Sequence, residues 1–260
     1  MIELLKIKLY SGKNKSAIKD KVSLGNSYQF DRKDCWASIN KSMKGHKYPE
    51  CHPWYIDDAD GVSVTGHHIL SVAGITYVSK GERFGDLLKG SKYDVNHSKN
   101  IVPLTTISEL ACELAIPLHY GNHRNNSIPS LKEGMSYHIL TEDIVTRMLK
   151  LLAKNGVCPG DNDSDKKDIV LNMDYVSTIM LGWITDFKVI LHQYGGDYQV
   201  GKDGCRSNKK LKEKDKNLDN TCHSREHGYK NQQSKTETLK VTGRLKTAFE
   251  IENPGLEYNE

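Results

Sequence analysis

Five of the chain's eleven histidines fall between Thr65 and His123: His67, His68, His97, His119 and His123. Imidazole is the commonest metal ligand and titrates near neutral pH, so such a stretch can hold a divalent cation, move a proton, or do both. His119 and His123 stand four residues apart, a spacing that places two rings on one face of a helix, near enough to share an ion. Pro117 suits the first turn of such a helix. Gly121, between the pair, weakens it, so a short or irregular helix is expected. His67 and His68 follow Gly61-Val62-Ser63-Val64-Thr65, an alternating run that predicts a strand. Side chains at the end of a strand alternate between faces, so one histidine of the doublet can face a metal and the other a substrate.

The doublet in His67-His68-Ile69-Leu70, the run Asn100-Ile101-Val102-Pro103-Leu104, and His119 with His123 in Leu-His-Tyr-Gly-Asn-His occur in an order that resembles the AHH branch of the HNH/endonuclease VII nucleases. That family has the ββα-metal, or His-Me finger, fold. The resemblance implies an α+β protein with a ββα-metal nuclease core. It implies that His67, His119 and His123 bind one divalent ion (Mg, Zn, Ni or Mn), that His68 is the general base, and that Asn100 braces the loop carrying the base. It also implies a phosphodiester substrate, DNA first and RNA second. Gly66 stands where the branch name implies alanine, and the segment from Asn100 to His119 is longer than in the shortest HNH nucleases. Domains of this branch are mostly the toxic tips of bacterial polymorphic toxins. The resemblance therefore extends to an antibacterial effector, a cognate immunity protein, and export by a specialised secretion system into a target-cell cytoplasm.

Other readings of the same residues exist. The histidines can form a structural zinc site in a non-enzymatic nucleic-acid-binding module. Such sites mostly use cysteines and leave no open position. The six cysteines, Cys35, Cys51, Cys112, Cys158, Cys205 and Cys222, contain no Cys-x-x-Cys pair, and His68 is left over. A hydrolase of other phosphoesters is a third reading. Lys99 and Arg124 are candidates to contact a phosphate, the plainer reading of each being a solvated surface cation. His97 reads as a loop histidine.

The rest of the chain must position these groups. With 260 residues there is room for one substantial domain with appendages. A net charge of +4 is compatible with a nucleic-acid partner without requiring one. No apolar run is long enough to span a bilayer, so no membrane insertion is expected. Charges interrupt Met1 to Lys8 too often for a signal-peptide core. The expected organisation is an N-terminal region over 1–50, a nuclease core over 51–155, an accessory helix and strand over 156–200, and a charged tail over 201–260. Within it, Met1 to Tyr10 alternates like a strand, and Asp31 to Met43 has a helical apolar face. Glycines at 74, 81, 85 and 90 mark an insertion between the doublet and Asn100, with a short helix at Glu82 to Lys89. A further short helix is expected from Ser108 to Ala115. The clearest helix starts at Thr141, with Ile144, Val145, Met148, Leu149 and Leu152 on one face, and ends at Asn155-Gly156. Gly160 to Lys167 reads as an acidic turn, followed by a helix over Val176 to Ile184 and a strand over Phe187 to Gln193. Residues 202–246 carry 13 Lys/Arg against 6 Asp/Glu, a net of +7, with few large apolar side chains. That composition predicts a partly disordered tail able to attract a phosphate backbone.

Overall fold

The computed structural model describes residues 8–11, 15–20, 64–105, 117–119, 123, 135–158, 162–186, 188–191, 245 and 247. The expected helices at Asp31 to Met43 and Ser108 to Ala115, and Arg124, lie outside the described residues. The described elements are α1 (Lys15–Asp20), β1 (Val64–His68), α2 (Val72–Lys80), α3 (Glu82–Gly90), a 3-10 turn (Ser98–Asn100), β2 (Ile101–Thr105), α4 (Tyr137–Lys154) and α5 (Asp163–Thr185). They make a mixed α+β structure: helices packed beside a two-stranded antiparallel sheet.

β1 and β2 pair with Val64 opposite Thr105, Gly66 opposite Pro103, His67 opposite Val102 and His68 opposite Ile101. The doublet thus lies within the strand rather than just after it. Pro103 has no N–H to give, and a two-stranded sheet leaves each strand an outer edge on which that is tolerated.

Between the strands the glycine-containing insertion forms two helices. α2 is not legible in the sequence, because Gly74, its third residue, lowers helix propensity in the first turn. Its reason is contact: a Cβ on Gly74 would lie 2.6 Å from the carbonyl oxygen of His138 and 2.7 Å from Thr141 Cβ, so α2 and α4 cross closely there. Ser71 caps α2, its Oγ accepting from Gly74 N–H at 3.2 Å.

α4 buries the expected face of Ile144, Val145, Met148, Leu149 and Leu152. It begins a turn earlier than expected, because Ser136 supplies an N-cap, its side chain accepting from Ile139 N–H. It ends at Asn155, with Gly156 at φ 86° and Val157 N–H returning to Leu152 O at 3.1 Å. α5 departs further from expectation. The acidic turn is its first turn, capped by Asn162, with Asp163 and Asp165 set against the helix dipole. Ile169, Val170, Leu171, Asn172 and Met173 are all buried, so no single apolar stripe marks this helix. The expected strand is absent over 188–191 among the described residues, although Val189, Ile190 and Leu191 are buried. A short apolar run does not by itself separate strand from coil.

One continuous core runs from Ile69 through α2, α3, α4 and α5 to Leu191. At the N-terminal side, Tyr10 N–H donates to Asn172 Oδ1 at 2.9 Å, and Lys15 and Lys19 pair with Asp168 at 3.3 and 2.5 Å. Residues 8–10 are not strand. Leu245, inside the expected tail, is 6% exposed and belongs to the core, so the chain packs back onto the domain at that point. No helix among the described residues is long and apolar enough to cross a membrane.

Candidate metal centre

The pleat of β1 divides the doublet. His67 turns inward, 4% exposed, and its ring centroid lies 4.8 Å from that of His119 and 5.2 Å from that of His123. One nitrogen from each of His67, His119 and His123 falls within 4.8 Å of the others, so the group can hold a metal ion. The residues between His119 and His123 lie outside the described ones, so the expected helix there is not described.

The donor set fits a divalent transition ion. His119 Nε2 and His123 Nε2 are 3.0 Å apart. Two nitrogens on one tetrahedral zinc, each at about 2.0–2.1 Å, would stand about 3.3 Å apart. All three ligand nitrogens lie within 4.8 Å of one another, a span that small side-chain adjustments can bring to one ion. His67 Nε2 is buried and has no hydrogen-bond partner among the described residues. A buried polar atom left in that state is costly unless something binds it. Protonation is also suppressed. Burial, then the neighbouring His119, His123, His68 and His138, hold His67 well below its ordinary 6.5. Burial and then His68 lower His119 to about 4. Neutral imidazole is the form that ligates.

His68, on the opposite face of β1, is half-buried. Its Nε2 lies 2.9 Å from Asn96 Oδ1. A carbonyl oxygen only accepts, so Nε2 carries the hydrogen and Nδ1 keeps its lone pair. Burial lowers the proton affinity of His68, opposed by the Asn96 hydrogen bond and by Asp94. Asn96 is in turn set by its own N–H, which donates to Asp94 Oδ1 at 2.8 Å.

Asn100 is fully buried and spends its amide on the segment after the doublet. Its Oδ1 accepts from Leu70 N–H at 2.8 Å, while its Nδ2 donates to Leu70 O at 3.2 Å and Val95 O at 2.8 Å. Ser177 Oγ on α5 adds a bond to Asn100 Oδ1 at 3.3 Å. The Lys99 ammonium lies 3.3 Å from Asp174 of α5, and His97 Nε2 lies 3.1 Å from the other oxygen of the same carboxylate. His97 is the loop residue expected, in the bend just before the 3-10 turn, and the Lys99 side chain is partly covered rather than fully solvated.

Three more residues frame the centre with no spacing in the sequence to mark them. Asn96 holds His68. Tyr137, fully buried, lays its ring 5.1 Å from His67 and 5.8 Å from His123. His138 lies beside His123, ring centroids 6.4 Å apart, and its Nδ1 shares a hydrogen bond of 3.0 Å with Ser71 Oγ. The only sequence signal for Tyr137 and His138 is Ser136, a candidate helix cap directly before them. No family model, curated protein or solved structure matches the chain.

Proposed function

We propose that the protein is a metal-dependent endonuclease of the ββα-metal type that hydrolyses phosphodiester bonds, with DNA as substrate. The observation that carries this reading is the division of the doublet: His67 meets His119 and His123, with ligand nitrogens within 4.8 Å, while His68 faces away and is oriented by Asn96. A metal centre with an adjacent, unligated and neutral histidine is the equipment for hydrolysis at phosphorus.

His68 Nδ1, with its lone pair free, takes a proton from water as that water attacks the scissile phosphorus. A divalent cation held by His67, His119 and His123 would polarise the phosphate and stabilise the leaving oxygen. Asn100 fixes the backbone just beyond the doublet, so that His67 and His68 keep their division of faces. His68 in this position also separates the reading from a purely structural zinc site, which needs no spare base. The motif order extends the proposal to an antibacterial effector whose immunity protein covers this site. The test is nicking of supercoiled plasmid by the full chain. Activity should be lost in EDTA and restored by added divalent cation. No cleavage with any of Mg, Mn, Ni or Zn would overturn the proposal.

A further inference from the structure

The three histidines come from two pieces of chain that are far apart in sequence, β1 and the 119–123 segment, and Tyr137 touches both. Its phenol O–H donates to the carbonyl oxygen of Ile69, two residues past His67. Its backbone N–H donates to the carbonyl oxygen of His123 at 3.1 Å. Its ring lies against His67 at an interplanar angle of 52° and against His123 at 79°. Burial pushes its phenol well above 10, so the O–H keeps its proton and remains a donor. Tyr137 is the first residue of α4, fixed from below by the Ser136 cap and by the close crossing of α2 over His138 and Thr141.

We infer that Tyr137 is a positioning residue of the metal centre: it joins the two ligand-bearing segments and sets the ring of His67 relative to that of His123. It holds no ion itself. Its phenol fixes the strand end, its main chain fixes His123, and its ring limits how far either imidazole rotates. Ordering of ligands by such outer contacts sets metal affinity, because rings already in place lose little freedom on binding.

This rests on the reading of His67, His119 and His123 as ligands, and the test separates the two. Zn and Co titrations of the full chain are compared for wild type, Tyr137→Phe and Tyr137→Leu, with Co absorption bands reporting coordination geometry. Thermal unfolding of the metal-free proteins is followed alongside. Tyr137→Phe, which keeps the ring and loses only the O–H, should bind metal about tenfold more weakly, with altered Co bands and near-native unfolding. Tyr137→Leu should weaken binding further. Wild-type affinity and an unchanged Co spectrum in Tyr137→Phe would overturn the role of Tyr137 while leaving the ligands in place. Failure of the wild type itself to bind either ion would overturn the ligand assignment, and the inference with it.

Discussion

Asn96 Oδ1 faces His68 Nε2 at 2.9 Å, and that contact fixes which nitrogen of His68 is free to take a proton. Removing the acceptor while keeping the volume, as in Asn96→Leu, should release the tautomer. Nitrogen-15 shifts of His68 should report hydrogen on Nε2 in the wild type and a mixture in the variant. Plasmid cleavage should fall about 10–100-fold with metal affinity unchanged, the scale of a misoriented general base. Hydrogen on Nδ1 in the wild type would contradict the assignment.

Asn100 works through the backbone. Both ends of its amide are engaged with Leu70, and Val95 and Ser177 take further bonds. Asn100→Ala leaves several buried backbone groups without partners, at a cost of about 2–4 kcal/mol. Asn100→Asp should also destabilise, because a carboxylate cannot donate to Leu70 O and Val95 O. Urea midpoints decide this. A midpoint within error of wild type for both variants would show that Asn100 does not brace the segment.

The buried histidines predict a pH profile. His119 titrates at about 4 in the folded protein, against an ordinary 6.5. Between those values the unfolded chain binds more protons than the folded one, so stability is lost as pH falls through this window and is flat above it. Burial of His67 acts in the same direction. The loss from His119 alone is on the order of 3 kcal/mol if the whole window is crossed. Urea titrations of the metal-free protein should show it, and His119→Gln should flatten the slope. An unchanged slope in that variant would assign the loss to other groups.

Gly74 tests the helix crossing behind the site. Gly74→Ala raises helix propensity by about 1 kcal/mol yet should destabilise the protein, overpacking costing about 1–3 kcal/mol. The new methyl meets His138 O at 2.6 Å, and separating the helices there moves Tyr137 and His138. Metal affinity should therefore fall with stability. A stabilised variant would show that α2 and α4 do not approach as closely as described.

The sequence exposes those parts of the molecule in which local pattern and tertiary role coincide. The apolar stripe of α4 is periodic because one face is buried, and His67 and His68 separate because a strand alternates. Where burial is nearly all-round, as over Ile169 to Met173 of α5, periodicity vanishes and the helix is misread in length. Gly74 looks like a loop residue because its purpose lies in another helix. Asn96 and Tyr137 act through contacts between elements, which no local spacing records. Leu245, set between Arg244 and Lys246, looks solvated until the core it joins is known.

Cleavage of supercoiled plasmid by His68→Ala, with its divalent metal fully bound, most directly separates a nuclease from a metal-stabilised module. His68 is a base and not a ligand in this arrangement, so the variant should bind the ion as wild type does. Its cleavage should fall by about 10²–10⁴-fold, the contribution of a positioned general base. Metal-loaded His68→Ala that cuts at the wild-type rate would contradict the proposed chemistry at this centre.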